Sequence, residues 1–388
     1  MKLIHLSDLH IGKRVNEFSM LEDQKYILTQ ILSVVREERA GGVILAGDIY
    51  DKTVPPTEAV QVFDSFLTKL AEMQCLVFVI SGNHDSAERL AFGAQLMSGR
   101  GVYFSPVYDG NVRKIVLTDE SGEVAIHMLP FVKPAVVRHA LENEDVRQEE
   151  SAQKNLEIRT CQDAVCAVVN HMEIDPTQRN VLVAHQFVTG ASCCESEEVS
   201  VGGLDQIDAS LFDAFDYVAL GHIHSPQYVT RPEVRYCGTP LKYSFSEAEQ
   251  EKSITVVDLE EKGVTIRTVP LKPLRDMRKI RGTYLEVTAR SFYENTNTDD
   301  YVQITLTDEE DVPDGLQKLR VIYPNLMRLE YDNKRTRESH MVDAADAVEQ
   351  KSELELFGEF FALQNNQPMS EVQVHFMEKL IRELREKR

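Results

Sequence analysis

The sequence lacks several features that define common classes of protein. It has no run of about 18 apolar residues, so no transmembrane helix is expected. Met1-Lys2-Leu3-Ile4-His5 predicts a strand where a secretory signal would need a longer apolar stretch and a small-residue cleavage site, so we expect a cytoplasmic protein. No Gly-x-x-x-x-Gly-Lys-Ser/Thr occurs. The chain therefore has no phosphate-cradling loop, and any ATP dependence must come from a partner.

Paired cysteines are absent as well. None of the six cysteines forms a Cys-x-x-Cys motif, and the adjacent Cys193 and Cys194 suit neither a zinc knuckle nor an easily formed disulfide. We expect reduced thiols, as in cytosolic proteins generally. The sequence also has no internal repeat and no low-complexity tract.

The sequence has fewer basic residues than acidic ones. The chain has 42 Lys and Arg against 63 Asp and Glu, which gives a formal net charge of −21. A protein that binds nucleic acid on its own is usually basic. Part of the acidic excess is explained if several carboxylates face bound divalent ions. The rest implies local basic patches, a basic partner or a small substrate.

The length of 388 residues predicts two or three domains, and the first part alternates strands with helices. Strands are predicted at residues 3–6, 43–46, 76–80, 181–184 and 217–220. Helices are indicated by the apolar spacing of Ile27, Leu28, Ile31, Leu32 and Val35 and of Val60, Phe63, Leu67 and Leu70. This alternation indicates an α/β fold with layered sheets, in which ligands gather at the carboxyl ends of strands.

Two hairpins and a second domain are predicted further along. The hairpins pair residues 112–117 with 124–129 and residues 253–259 with 264–269, and residues 134–174 are expected to be helical. Residues 270–273, bounded by prolines, mark a domain boundary. Beyond it we expect a small α+β domain, with strands at 284–288, 301–306 and 326–331 and a short helix at 316–321.

The chain closes with two predicted helices. Ser352-x-x-Glu355 and Ser370-x-x-Gln373 both match the capping-box pattern that begins a helix. In the last helix an apolar residue recurs every four positions, at Val372, Phe376, Leu380 and Leu384. This apolar stripe, with basic residues on the other faces, suits docking on a coiled coil, or else it packs on the protein's own body.

Five short motifs each follow an apolar run that predicts a strand. They are Asp8-x-His10, Gly47-Asp48, Gly82-Asn83-His84-Asp85, His185 and Gly221-His222-x-His224. Each supplies Asp, Asn or His, which bind divalent metals through oxygen and nitrogen. Any one of them alone could be incidental, and a lone His185 would more often be an ordinary core histidine. Five in series predict a two-metal site of the kind that hydrolyses phosphate esters.

The residue types suggest roles within this set. Asp48 is the natural bridging carboxylate, because it is the lone ligand of a central motif. We expect Asp8 and His10 to alternate along an extended segment and so to project to one side, and His222 and His224 to do likewise. Asn83 offers a neutral carbonyl oxygen.

His84 follows Asn83 and is expected to point away from the metals. It is then free to act as a general acid on the leaving oxygen. Asp85 could orient that histidine through a hydrogen bond.

Taken in order, these motifs resemble those of the calcineurin-like metallophosphoesterase superfamily. Four longer segments are similar to the bacterial branch of the meiotic-recombination nuclease family, namely His5-Leu-Ser-Asp-Leu-His-Ile-Gly, Ser81-Gly-Asn-His-Asp-Ser, Val201-Gly-Gly-Leu-Asp and Tyr236-Cys-Gly-Thr-Pro-Leu-Lys-Tyr-Ser-Phe-Ser. The resemblance covers roughly residues 1–270 strongly. Asp51 is not followed by the arginine of phosphoprotein phosphatases, and Asp85 replaces their glutamate, which favours a nuclease.

The resemblance implies a sandwich of two sheets flanked by helices, with a capping domain and C-terminal helices. We expect a nuclease domain at residues 1–270, a DNA-recognising capping domain at 274–345 and ATPase-binding helices at 350–388. It also implies two manganese ions, one on Asp8, His10, Asp48 and His224 and the other on Asp48, Asn83, His185 and His222. His84 is then the catalytic histidine.

The resemblance further implies a partner and a substrate. The family works as a dimer bound to a coiled-coil ATPase of the chromosome-maintenance type, which predicts a heterotetramer in the bacterial cytosol, associated with the nucleoid. The expected activities are a double-strand exonuclease, running 3′ to 5′, and a single-strand or hairpin endonuclease, in DNA end processing, repair, replication and recombination. Lys13, Arg14 and Lys242 are candidate phosphate contacts, or else ordinary solvated charges. The alternatives are a small-molecule phosphodiesterase acting on a cyclic nucleotide and a non-catalytic DNA-end tether.

Overall fold

The computed structural model of the chain describes residues 1–147, 158–197, 205–333, 354, 357–358, 361 and 369–386. It divides into two compact units. The first contains residues 1–280, 296–303 and 319–328, and the second contains residues 281–295, 304–318 and 329–388.

Strands occur in both units, and most of them lie in the first. In chain order they are β1 (Lys2–Leu6), β2 (Arg14–Val15), β3 (Phe18–Ser19), β4 (Gly42–Ala46), β5 (Leu76–Ile80), β6 (Val102–Phe104), β7 (Arg113–Asp119), β8 (Gly122–Met128), β9 (Arg179–His185), β10 (Phe187–Val188), β11 (Gln206–Ile207), β12 (Tyr217–Gly221), β13 (Gln227–Val229), β14 (Arg231–Tyr236), β15 (Ser253–Leu259), β16 (Val264–Pro270), β17 (Met277–Gly282), β18 (Tyr301–Leu306) and β19 (Leu326–Tyr331).

Helices connect many of these strands. In chain order they are α1 (Leu21–Glu38), α2 (Thr57–Glu72), α3 (Ala87–Leu90), α4 (Ala94–Ser98), α5 (Pro134–Arg147), α6 (Cys161–His171), α7 (Tyr284–Thr288), α8 (Arg290–Tyr293), α9 (Gly315–Arg320) and α10 (Glu371–Glu386).

Two six-stranded sheets dominate the architecture. The first has the order β16-β15-β1-β4-β5-β6 and the second the order β13-β14-β12-β9-β8-β7. Strands β1, β4, β5 and β6 run parallel to one another, and so do β8, β9, β12 and β14. The two predicted hairpins are the antiparallel pairs β7–β8 and β15–β16 at the sheet edges.

The two sheets pack face to face over an apolar core. Ile44 and Phe78 from the first sheet share one buried cluster with Ile126 and Val183 from the second. Helices α1 and α2 cover the outer side of the first sheet, and α6 covers that of the second. The expected α/β sandwich of two sheets flanked by helices is confirmed.

The helix ends follow local rules. Pro56 stands at the N-cap of α2, where its missing N–H and fixed φ cost nothing. Helix α1 ends at Glu38, and its C-cap residue Arg39 adopts the left-handed conformation with φ 51°. Thr160 and Asp163 form a reciprocal capping box at α6. The predicted helical region 134–174 is therefore two helices, and residues 148–157 between them lie outside the described residues.

The predicted strand at residues 284–288 is wrong, because these residues form helix α7. The β-branched and aromatic side chains favour a strand, but Thr283 and Glu286 form a capping box that starts a helix. The strands predicted at residues 301–306 and 326–331 are β18 and β19, and the helix predicted at 316–321 is α9. The three-stranded sheet has the order β17-β18-β19.

A buried ion pair anchors α1 within the first unit. Asp23 is fully buried, and its Oδ2 accepts from Arg275 Nη1 at 2.6 Å and from the Tyr301 hydroxyl at 2.8 Å. This contact joins α1 to the segment before β17 and to the start of β18.

Helix α10 begins as its capping pattern predicts, with the Ser370 backbone N–H donating to Gln373 Oε1 at 2.9 Å. The pattern at Ser352 and Glu355 lies outside the described residues. Across the described ranges, no helix has the length and apolar content to cross a membrane. All six cysteines are free thiols.

Candidate metal centre

The five sequence motifs meet at the carboxyl ends of parallel strands from both sheets. Asp48 Oδ2 follows β4 and lies 3.4 Å from Nε2 of His185, the last residue of β9 in the other sheet. His10 Nε2, after β1, lies 3.2 Å from His224 Nε2, after β12. The side chains brought together are Asp8, His10, Asp48, Asn83, His84, His185, His222 and His224.

The backbone at this centre turns sharply. Asp8, His10, Asp48 and His222 have φ values of 52°, 44°, 49° and 102°, in the left-handed region that non-glycine residues rarely adopt. The prediction that the ligands of the first and last motifs alternate along extended segments is therefore wrong. The Asp8 N–H donates to the Gly47 carbonyl at 3.0 Å, and the His10 N–H donates to the Asp48 carbonyl at 2.9 Å. These hydrogen bonds hold the loop after β1 against the loop after β4.

Two glycines permit the close approach of these loops. A Cβ on Gly82 would overlap the Asp48 carboxylate and lie 2.5 Å from the Asp48 backbone nitrogen. A Cβ on Gly221 would overlap the Ala46 carbonyl oxygen. The glycines that precede the ligands are thus required for space and not only for turn formation.

Asp48 lies at the middle of the cluster and is almost wholly buried. Its Oδ2 is 3.4 Å from His185 Nε2, 3.7 Å from His10 Nε2 and 4.0 Å from His84 Nε2. Burial alone would raise the pKa of this carboxyl, but the charge and hydrogen bond of the His185 imidazole outweigh burial and hold the pKa well below its usual range. An ionised carboxylate ringed by imidazole nitrogens suits a bridging ligand.

The pKa values of the surrounding histidines are shifted in different directions. Burial lowers the pKa of His222 to about 3 and that of His10 well below its usual value, so both are neutral, the form in which imidazole binds metals. Burial also lowers the pKa of His185, but the Asp48 carboxylate has the larger effect and raises the pKa of His185 to about 9. His185 Nδ1 donates to the Ala46 carbonyl at 2.8 Å, which leaves Nε2 to face the centre.

The donor atoms fit divalent cations. Three groups each place their ligand atoms within 4.8 Å of one another, namely Asp8–His10–His224, Asp8–Asp48–His185 and His10–Asp48–His84. The Nε2 atoms of His10 and His224 face each other in a buried site. A cation bound by both nitrogens would explain this arrangement. Asn83 Oδ1 adds an oxygen 3.0 Å from His185 Nε2 and 3.1 Å from His222 Nδ1. Imidazole nitrogens with carboxylate and amide oxygens suit borderline and hard metals.

His84 lies beside this cluster. Its ring centroid is 5.0 Å from that of His10, and its side chain is 21% exposed, whereas those of His10 and His185 are buried. Its backbone N–H donates to Asp48 Oδ1 at 2.9 Å. The imidazole is therefore held next to the centre and remains open to an approaching substrate.

Asp85 does not orient His84 in the part of the chain that the structure describes. Its two oxygens accept from the backbone N–H groups of Ile49, Tyr50 and Gly82 at 3.0–3.1 Å. Burial, followed by the nearby Asp48 charge, raises the pKa of Asp85 to about 6. The residue ties the Asp48 loop to the Gly82 loop, which corrects the predicted contact.

The three basic candidates lie in different environments. Lys13 Nζ is 2.7 Å from Asp51 Oδ1, and Asp51 Oδ1 lies 3.8 Å from His10 Nδ1. Arg14 is exposed and donates to the carbonyl of Glu17.

The side chain of Lys242 already makes a hydrogen bond and an ion pair within the protein. Its Nζ donates to the Ala248 carbonyl at 2.6 Å and pairs with Asp276 Oδ1 at 2.8 Å. These contacts give it a structural role in the loop that follows β14.

The sequence patterns did not predict the residues that form hydrogen bonds with the backbone around His10. Gln24 of α1 is buried, donates to the His10 carbonyl at 2.7 Å and accepts from the Gly12 N–H at 2.9 Å. The Tyr243 hydroxyl donates to the Leu9 carbonyl at 2.6 Å. Gln24 falls four residues before Leu28 on the apolar side of α1, so a polar residue on that face was the available signal.

A second missed set surrounds His224. Ser196 Oγ is 2.7 Å from His224 Nδ1, and the Glu197 carboxylate accepts from the His224 backbone N–H at 2.5 Å. Glu247 is buried next to them. No short motif marks these residues, since they come from separate loops.

A cavity of about 610 Å³ adjoins the centre. Asn83 and His222 form part of its wall, and Phe131, Lys133, Gln186 and Phe187 line it further out. This opening gives a substrate access to the ligand side of both sheets.

Comparison with known proteins identifies the class. The calcineurin-like phosphoesterase model matches residues 1–226, and the model described as a type 5 capsule protein repressor C-terminal domain matches residues 273–365. The chain belongs to the calcineurin-like phosphoesterase family, whose fold implies divalent metal ions. Within it, the chain is similar to the SbcD subunit of the nuclease SbcCD of Staphylococcus epidermidis, with 33% identity over 334 residues and 85% of each chain covered.

Solved structures show more distant similarity. A dimetal phosphatase from Danio rerio is 11% identical, with a TM-score of 0.42 and coverage of 71% of this chain and 98% of its own. TT1561 of Thermus thermophilus is 10% identical, with a TM-score of 0.37 and coverage of 69% and 98%. The family assignment rests on the sequence matches.

Proposed function

We propose that the chain is the nuclease subunit of an SbcCD-type complex and hydrolyses phosphodiester bonds of DNA. The observation that carries the proposal is the convergence of all seven predicted ligands, with His84 beside them, at the ends of parallel strands. The name of the staphylococcal relative, a nuclease subunit, supports a nucleic acid as the substrate. Double-strand exonuclease activity, running 3′ to 5′, and single-strand or hairpin endonuclease activity are the proposed reactions.

The proposed metal ions are manganese. One would be held by Asp8, His10, Asp48 and His224, and the other by Asp48, Asn83, His185 and His222. When bound, such a pair of ions activates water and stabilises charge on the attacking and leaving oxygens. Asp85 keeps the Asp48 carboxylate in place by holding the two loops together.

His84 is the proposed general acid. As the bond between phosphorus and the sugar oxygen breaks, an imidazole N–H of His84 passes its proton to that oxygen. The partial exposure of the ring, next to buried His10, supports this role because the leaving group must reach it.

DNA is proposed to bind mainly through its phosphates, because a processing nuclease must ignore sequence. Lys13 and Arg14, three and four residues after His10, are the proposed contacts, and Lys13 would have to leave its ion pair with Asp51. Lys242 would have to leave its ion pair with Asp276 to take part. With a net charge of −21, the isolated subunit is expected to bind DNA weakly and to lose it quickly as salt rises.

The proposed partner is an SbcC-type coiled-coil ATPase, which docks on the C-terminal helices at residues 350–388. The exposed apolar residues of α10 support this, since Val372 and Phe376 are 80% and 64% exposed. Helices α1 and α2 are proposed to serve a homodimer, so that the complex is a heterotetramer at the nucleoid of the cytoplasm. Residues 274–345 form the proposed DNA-recognising cap.

A nuclease assay tests the proposal. The wild type with manganese is expected to degrade linear duplex DNA, and His84→Ala is expected to abolish degradation while both metal ions stay bound. A His84→Ala chain that cuts normally would refute the general-acid role. A wild type that hydrolyses a cyclic nucleotide but leaves DNA intact would identify a small-molecule phosphodiesterase instead.

A further inference from the structure

Ser196 bridges a metal ligand and a buried carboxylate. Its Oγ is 2.7 Å from His224 Nδ1 and 2.6 Å from Glu247 Oε1. Glu247 is fully buried, and its other oxygen is 2.6 Å from Lys252 Nζ. A carboxylate in such an ion pair accepts hydrogen bonds and donates none. The single hydroxyl proton of Ser196 therefore points to Glu247.

The direction of that bond determines the tautomer of His224. Because the Ser196 proton is committed to Glu247, Ser196 Oγ must accept at its second contact, and His224 Nδ1 donates to it. The Nε2 atom of His224 is then unprotonated, with its lone pair facing His10 Nε2 at 3.2 Å and grouped with Asp8. This is the form in which an imidazole binds a metal.

The backbone of His224 is held by different partners. Its N–H donates to Glu197 Oε1 at 2.5 Å, and its carbonyl accepts from Lys252 Nζ at 2.9 Å and from the Thr239 N–H at 3.1 Å. The Ser196 contact is thus specific to the ring, which makes its effect separable from the folding of the loop.

We propose that Ser196, backed by Glu247, is a positioning residue that sets the tautomer of His224 for metal binding. This inference rests on the proposed metal centre and adds to it. It also gives a role to the segment from Tyr236 to Ser246, which supplies no metal ligand. Thr239 Oγ1 and the Tyr243 N–H both donate to Glu247, at 3.4 and 3.3 Å.

The test measures manganese affinity of the full chain by titration calorimetry, without reference to catalysis. Ser196→Ala removes the acceptor at Nδ1 and is expected to weaken one manganese site by about 10-fold or more, as for other residues that orient a metal-bound histidine. Ser196→Thr keeps a hydroxyl and is expected to restore most of that affinity.

Ser246→Ala is the matched control. Ser246 Oγ accepts from the Glu195 N–H at 3.1 Å and so anchors the same loop, but its contacts do not include His224. It is expected to bind manganese as the wild type does. Wild-type affinity in Ser196→Ala, or an equal loss in Ser246→Ala, would overturn the inference. If the wild type binds two ions but cuts no DNA, the nuclease proposal fails and this inference stands.

Discussion

At the scale of single residues, the candidate metal centre combines strained backbone conformations with loops that pack so closely that only glycine fits between them. The left-handed φ values of Asp8, His10, Asp48 and His222 each cost roughly 1–3 kcal/mol and persist only where the surroundings impose them. Here the surroundings do, since the His222 N–H donates to both oxygens of Asp8. The candidate ligands could be chosen from the sequence because the side-chain type carries the chemistry. The turns were not, because they depend on bonds between loops distant in sequence.

Gly82→Ala tests the close approach directly. The added Cβ would overlap the Asp48 carboxylate, so we expect manganese binding to weaken and hydrolysis of a small diester such as bis-p-nitrophenyl phosphate to fall by about 100-fold or more, since a shift of about 1 Å at a reacting centre costs this much. Gly99→Ala is the control, because its Cβ would meet only an ordinary contact 3.6 Å away at a helical φ of −65°. A Gly82→Ala chain of normal activity would contradict the account.

Asp85→Asn separates two roles for this carboxylate. Three backbone N–H groups share its two oxygens, and an amide has only one acceptor oxygen. The variant should therefore lose about 1–3 kcal/mol of unfolding free energy from an unsatisfied buried donor. Urea denaturation measures this loss. Unchanged stability would contradict this structural role. A fall in activity at unchanged stability would mean that Asp85 acts on the centre itself, through His84 as first expected from the sequence or through the Asp48 loop.

At the scale of secondary structure elements, the parallel strands explain why the convergence of the five motifs could be predicted. Parallel neighbours bring their carboxyl ends to one edge, so motifs after β1, β4, β5, β9 and β12 had to converge if the sheets packed face to face. The helix α7 was missed because its composition favours a strand and its capping box was overlooked. Ser196 and Glu247 are 51 residues apart in sequence, a pairing that no local pattern specifies.

The buried ion pair of Asp23 tests how α1 is anchored. Arg275→Ala would leave the fully buried Asp23 carboxylate without its cation, and we expect a loss of about 3–5 kcal/mol of unfolding free energy. Arg281→Ala breaks an exposed pair with Asp332 and should cost less than about 1 kcal/mol. Chemical denaturation of both variants checks this. Equal losses would mean that the Asp23 pair anchors nothing.

At the scale of the whole molecule, charge and exposed apolar surface point to a partner. A net charge of −21 disfavours strong DNA binding by the chain alone, and α10 exposes Val372, Phe376 and Leu380. An ATPase subunit could cover the exposed apolar residues of α10. Its positively charged surface could supply the DNA binding that the net charge of this chain disfavours. The substrate itself could not be read from the ligands, because one two-metal centre serves many phosphate esters.

Phe376→Asp tests this docking surface. It places a charge on the apolar stripe of α10, so we expect co-purification with the coiled-coil ATPase to be lost while hydrolysis of a small diester is unchanged. Deleting residues 350–388 should have the same two effects. His375→Asp introduces the same charge one position away, off the stripe, and should retain the partner. If the ATPase stays bound to the Phe376→Asp chain, α10 is not the docking element.

The central claim is that two metal ions share Asp48. The most direct measurement is the manganese content of the purified chain together with its electron paramagnetic resonance spectrum. The account predicts two ions per chain with the signal of a spin-coupled pair, and loss of that coupling in Asp48→Ala. One ion per chain, or two ions without coupling in the wild type, would contradict it.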